Sequence, residues 1–302
     1  MDRRSLPQAA IALAFCLSPL IALAQDAVGD RAWSIFGSGE YSLSETYVGE
    51  AGVERGSNSV NHFDENDVIV RYIMTPRTKI GVLRLGVDWE RFSFGFSKNA
   101  PIPDTLQSIS LVLGLDTQLS DSILLRVEAQ PGMYNTGVNN LSDDFNMPFI
   151  AGGTYIYNPD LQFIVGVSVD VERKYPVIPA AGVRWKIGRQ WTANVVMPTP
   201  RLEYEWNKNL TLYAGGEIKE TNFRVDDTFG DRQGRPQLDH AVLTYSEVRV
   251  GTGCDWKLLS FLTLTAEAGY QPYRSFDFYR TSIRYHQDDA APYGMVSLHG
   301  AF

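Results

Sequence analysis

Between residues 179 and 219 the chain alternates apolar and polar side chains with a period of two. Val183, Trp185 and Ile187 fall on one face, and Gly182, Arg184 and Lys186 on the other. After Gly188-Arg189-Gln190, Trp191, Ala193, Val195 and Met197 share a face opposite Asn194. After Pro198-Thr199-Pro200, Leu202, Tyr204 and Trp206 oppose Arg201, Glu203 and Glu205. After Asn207-Lys208-Asn209, Leu210, Leu212, Ala214 and Ile218 oppose Thr211, Tyr213, Glu217 and Lys219. Successive side chains of a strand point to opposite faces. The pattern therefore predicts strands with one apolar and one charged face. A soluble sandwich alternates because its polar face meets bulk water. A membrane barrel alternates because one face meets lipid and the other a wet lumen.

The alternation continues along the chain. It predicts a first strand over 33–42, then a polar stretch over 43–65. Val68, Val70, Tyr72 and Met74 next alternate with Ile69, Arg71 and Ile73. Leu83, Leu85, Val87 and Trp89 oppose Arg84, Asp88 and Glu90, ahead of an aromatic crest at Phe92, Phe94 and Phe96. Further strands are expected around Leu113, Val127, 149–157, Val167, 242–256 and Leu264, and at the end of the chain. Short turns fall near Pro76, Asp121, Pro159, Arg189, Lys208 and Leu259. Longer connections fall near Gly52, Pro101, Gly137, Lys174, Asp231 and Tyr285, including long loops over 220–240 and 271–291. Short turns at one end and longer connections at the other are what a membrane barrel shows. The count is about fourteen strands, or about twelve if the Pro198 region is one bent strand, as in an up-and-down antiparallel barrel. Trp185, Trp191, Trp206 and Trp256 all flank short turns, where an interfacial girdle would sit.

The N-terminus changes the picture from any barrel to an exported one. Residues 1–24 carry Arg3 and Arg4, an apolar run from Ala9 to Ala22, and the small-x-small site Ala22-Leu23-Ala24. This reads as a cleaved signal peptide, leaving one barrel domain over 25–302. Phe15 before Cys16 argues against a lipoprotein site. Cys254 is then the one cysteine of the mature chain, which leaves no disulfide framework and no Cys-rich zinc site. The net charge of −8 argues against a nucleic-acid partner, which wants a basic face. Phe302 ends an apolar face with Val296, Leu298 and Gly300, and a terminal aromatic of this kind resembles a signal read by the barrel-assembly machinery. Localisation in the bacterial outer membrane follows, with membrane lipid and lipopolysaccharide as surroundings.

Three segments carry a further resemblance. Pro179-Ala180-Ala181-Gly182-Val183-Arg184-Trp185, Met197-Pro198-Thr199-Pro200-Arg201-Leu202-Glu203-Tyr204 and Leu212-Tyr213-Ala214-Gly215-Gly216-Glu217 together resemble an uncharacterised family of bacterial outer-membrane β-barrel proteins. That resemblance implies the barrel and its location. It assigns no activity and no functional residue.

The charged face supplies the candidate site. Arg71, Arg84, Arg126, Arg184, Lys186, Arg201, Lys219 and Arg249 are expected in the lumen. They would face Asp88, Glu90, Glu128, Asp170, Glu172, Glu203, Glu205, Glu217, Glu247, Asp255 and Glu267. An Arg or Lys on the lipid face at mid-membrane would cost roughly 2–4 kcal/mol. Two readings stay open: an ion-pair network that holds the wall, or a lining that selects solutes in a passive pore. The stretch 43–67 adds Glu45, Glu50, Glu54, Asp64, Glu65 and Asp67 against Arg55, an expected acidic mouth. His62, His240, His286 and His299 show neither a serine partner nor metal spacing, and no G-x-S-x-G or H-E-x-x-H occurs. The expectation is a non-enzymatic channel without a cofactor. A plugged structural barrel is the alternative, and a lipid hydrolase or a soluble sandwich stands behind it.

Overall fold

A computed structural model of the chain describes residues 38–55, 58–96, 100–136 and 144–302. The expected signal peptide, with Cys16, and residues 33–37 of the expected first strand over 33–42 lie outside these residues, while 39–42 open β1. The described chain is a closed antiparallel barrel of 14 strands. In chain order these are β1 Gly39–Arg55, β2 Asn58–Met74, β3 Gly81–Gly95, β4 Thr105–Ser120 and β5 Ile123–Ala129, prolonged by Gly132–Asn135. Next come β6 Phe149–Asn158, preceded by Phe145–Asn146, then β7 Leu161–Val169, β8 Val177–Ile187, β9 Trp191–Val196 and β10 Arg201–Asn207. The last are β11 Leu210–Arg224, β12 Val242–Leu259, β13 Leu262–Phe278 and β14 Ala291–Ala301, preceded by Ile283–Gln287. Each strand pairs with its neighbours in sequence, and β1 closes the ring on β14 from Glu40↔Ala301 to Val48↔Tyr293. Pro198-Thr199-Pro200 separates two strands rather than bending one, which settles the count at the higher of the two expected values.

The outward face is apolar. Val87, Leu111, Phe163, Val165, Val195 and Leu202 stand exposed around the wall. So many exposed aliphatic side chains form a belt far larger than the apolar patches of a soluble protein, and it encircles a barrel. Trp185, Trp191, Trp206 and Trp256 are exposed at the short-turn end, as the sequence predicts. Trp191 packs against Tyr204 with ring centroids 4.8 Å apart and the planes tilted, which continues this girdle across two strands. The turn before Trp191 needs a left-handed residue, and Gly188 provides it at φ 72°.

Ring closure continues to the short-turn end. Phe302 and Gly39 exchange backbone hydrogen bonds at 2.9 Å in both directions. The Phe302 ring lies over Gly39, where a Cβ would come within 2.8 Å of its edge. Deleting Phe302 should therefore weaken the β1–β14 junction and lower the yield of folded barrel. Unchanged heat-modifiable mobility and membrane yield would refute this.

Several expected loops are strand. The stretch 43–65 forms most of β1 and the start of β2, and 271–278 with 283–287 extends β13 and β14. The 220–240 loop shortens to 225–241, holds the short helix α1 Phe229–Arg232, and buries Val225, Phe229 and Leu238. Here the amphipathic pattern changes sign. Beyond the lipid belt the inward side chains are apolar and the outward ones polar, so no greasy outer face marks the strand. As a result β1–β5 and β11–β14 rise well past the ends of β7–β10. They join above those ends, where Arg224 pairs with Asn135.

Candidate functional site

Strand parity places the charges. On β2 the inward residues run Ile73, Arg71, Ile69, Asp67, Glu65 and Phe63, all buried. On β3 they run Arg84, Asp88, Glu90, Phe92 and Phe94 toward the long-connection end. One inward face thus passes from ionic to aromatic along the axis, and the interior divides into bands.

At the short-turn end lies a wet vestibule. The Arg201 guanidinium sits 4.1 Å above the Tyr213 ring and 3.8 Å from the Asp255 carboxylate. Both side chains keep about a quarter of their surface exposed, at 24% and 27%. Tyr213 Oη donates to Glu267 at 2.6 Å, and Tyr293 Oη donates to the other oxygen of the same carboxylate. Arg184, Glu203 and Glu217 are half-buried on the same inward face, whereas Glu205 and Lys186 stand exposed at the rim. This band holds six of the predicted lining residues, Arg184, Arg201, Glu203, Glu205, Glu217 and Glu267.

Against the β1–β5 wall the charges are paired, with Arg71, Arg84, Asp116, Arg126 and Glu128 buried and Glu40 and Asp88 partly exposed. Arg84 binds Glu40 through both terminal nitrogens at 2.9 and 3.0 Å, and Glu128 through Nε at 3.1 Å. The second oxygen of Glu128 accepts from Arg71 at 2.8 Å, and Arg71 also lies 3.3 Å from Asp88. Arg126 clasps both oxygens of Asp116. Arg84, Asp88, Arg126 and Glu128 therefore stitch neighbouring strands together. Glu40 and Asp116, which complete the set, were not among the expected residues.

Deeper still, a second ionic cluster spans the barrel. Lys219 Nζ lies 2.6 Å from Glu90 and 3.0 Å from Asp67. Arg249 lies 2.7 Å from Glu247 and 3.0 Å from Asp67. Arg274 lies 2.9 Å from Glu65, with both side chains 0% exposed. Glu65 and Asp67 therefore belong to the interior and not to an acidic mouth. What remains of that mouth is partly paired as well: Glu50 meets His62 at 2.5 Å and Glu54 meets His286 at 3.4 Å.

Above this cluster the interior is aromatic. Phe63, Phe92, Phe94, Phe223, Tyr245 and Phe276 form one buried group, with ring centroids between 4.8 and 6.3 Å apart. The two bands are joined by charge–ring contacts: Arg274 lies 4.6 Å from the Phe63 centroid and Lys219 lies 4.8 Å from that of Phe92. Such contacts strengthen when water is excluded. Tyr245 Oη completes the junction by donating to Glu65 at 2.7 Å. The ionic cluster and the aromatic group pack against each other at this level, more deeply buried than the charges of the vestibule.

Two predicted residues sit elsewhere. Asp170 and Glu172 lie at and just beyond the end of β7, in contact with the outer side of β11. No group of three or more His, Cys, Asp or Glu side chains among the described residues is placed to hold a metal ion.

Residues 70–297 match the family described as a domain of unknown function (DUF6268). No curated protein matches the chain. Among solved structures, an outer-membrane channel from Pseudomonas putida F1 is similar over 90% of this chain and 100% of that one, at 8% identity and a TM-score of 0.49. The toluene transporter TodX of Pseudomonas putida aligns over 87% and 89% at 12% identity, with a TM-score of 0.37. The translocator domain of the autotransporter NalP from Neisseria meningitidis aligns over 89% and 90% at 15% identity, with a TM-score of 0.37.

Proposed function

The chain belongs to the DUF6268 family, a domain of unknown function, and from that premise we propose that it is an integral outer-membrane channel for small solutes that rests closed. The apolar belt and tryptophan girdle support a place in lipid, with the long connections toward lipopolysaccharide and Phe302 read by the assembly machinery. The observation that carries the channel reading is the asymmetry of the interior. A barrel stiffened for strength alone would be filled along its whole length. This one keeps a hydrated, charged vestibule that ends against a dry ionic and aromatic block. A charged vestibule that is open at one end and stopped along the axis at the other is the layout of a closed pore.

The vestibule sets the expected selectivity. Glu203, Glu205, Glu217, Asp255 and Glu267 outnumber Arg184, Lys186 and Arg201 there. Cations should be preferred, and salt should screen the preference. Purified protein in planar bilayers under a salt gradient is expected to be silent most of the time, with discrete cation-selective openings. Glu203→Gln with Glu205→Gln should reduce that selectivity. A membrane silent at every voltage, with assembly shown by heat-modifiable gels, would leave the plugged structural barrel as the answer. Anion selectivity would instead assign the path to the arginines.

A further inference from the structure

The wide part of the barrel and its extension do not have the same circumference. On the side of β11 that faces β10, the backbone ladder reaches Ile218, whose N–H donates to Pro198 at 2.9 Å. The next strand contact on that side is Arg224 with Asn135 of β5. Between these two points the wall is completed by residues 170–176, the connection from β7 to β8, and by side chains instead of a ladder. Asp170, 2% exposed, accepts from Asn146 at 3.0 Å and from Asn222 at 2.7 Å. Glu172 accepts from Arg224 at 3.0 Å, and Lys174 reaches Asp277 at 3.7 Å.

Resting on the reading of the protein as a closed channel, we propose that residues 170–176 are the lid of its outlet, with Arg173 as the stopper. The outlet lies beside the extension and above β7–β10, not through the aromatic block. Three observations converge on this.

First, Arg173 turns back from the lid. Its guanidinium donates to Ser168 on the inward face of β7 at 2.8 Å and lies 3.7 Å from Glu220 of β11, bridging the two margins of the break. Its side chain is 10% exposed. Second, the wall beneath it is lined by glycine. Gly152 of β6 and Gly166 of β7 share the inward face with Ser168, and the atoms nearest to a Cβ built at either one belong to the adjoining strand. Third, the fastenings are all of one kind. Charged and amide side chains hold the lid, whereas the axial block is a packed aromatic core. Displacing the lid exchanges polar contacts for water, while emptying the axis exposes buried rings. Side-chain hydrogen bonds have water as a ready replacement partner, and buried apolar surface does not.

The test compares the two routes in bilayers, with folding of every variant verified by heat-modifiable gels. Arg173→Ala should raise the open probability at least tenfold over the wild type. Phe276→Ala, which loosens the axial block, should leave it within twofold. In a Cys254→Ser background, Glu172→Cys with Arg224→Cys should pass current until a bifunctional thiol reagent bridges the pair, and again after reduction. If Phe276→Ala conducts and Arg173→Ala does not, or if the bridged protein still conducts, the lid is wrong and the channel stands. If wild type and every folded variant stay silent, the channel reading falls and the lid falls with it.

Discussion

Glu65→Leu should cost about 3–5 kcal/mol of barrel stability, the penalty for leaving a buried charge without its partner. The stranded charge is Arg274, wholly buried, which also donates to the Phe63 carbonyl at 3.2 Å and lies against the Phe63 ring. Arg274→Met should be milder. Glu65 then keeps the Tyr245 hydroxyl at 2.7 Å and Arg249 at 3.5 Å. The double variant, with two apolar side chains in place of the pair, should recover much of the loss, because hydrophobic replacements of buried ion pairs are often well tolerated. Urea unfolding from lipid vesicles, followed by gel mobility, supplies the numbers. A double variant no more stable than Glu65→Leu would show that the pair acts through the wider network and not through mutual neutralisation.

Leu264→Arg should destabilise insertion more than Thr263→Arg, by up to about 1 kcal/mol, because Leu264 lies beside Trp256 of the girdle, near the interface. Leu264 shares its outward face with Ala266, Ala268 and Tyr270, all exposed, and pairs across the sheet with Leu298 and Trp256. Thr263 shares the inward face with Thr265, which donates to Asp255 at 2.6 Å. A one-residue slip of register would exchange the faces. Comparable folded yields for the two variants would therefore mean that the register of β13 is wrong.

How far the sequence could be read depended on where lipid sits. The strands around Val87, Val195 and Leu264 announce themselves because an apolar outer face alternates with a charged inner one. Five of the six short turns carry the Gly, Pro, Asn or Asp that predicts them, the turn at 260–261 being the exception, and the four tryptophans beside short turns are exposed as expected. Past the lipid belt this contrast disappears. On β1 the contrast is weak even within the belt, where Ser42, Ser44 and Thr46 face inward while Glu45 and Tyr47 face outward. Parity alone would have carried the reading further. Counting by twos from Arg71 reaches Asp67, Glu65 and Phe63, and from Arg84 it reaches Phe92 and Phe94. The aromatic crest is the continuation of the charged face, an inference open to the sequence that the change from ionic to aromatic chemistry obscures. The partnership of Asp170 with Asn146 and Asn222 had no such signal, because it depends on strands of unequal height meeting in space.

The pairing of β1 with β14 also fixes the order of events in time. Glu40 finds Ala301 and Val48 finds Tyr293 across nearly the whole described chain. Every other strand has a partner adjacent in sequence, so hairpins can form early and locally. The last ladder must wait for the final strand and bear the loop-closure entropy of everything between, which makes it intrinsically slow. Until then the sheet carries two unpaired edges, each a template for any other extended chain. For this molecule the hazardous interval ends only when the ring closes, and an escort that shields those two edges would do more for its yield than one that shields its apolar belt.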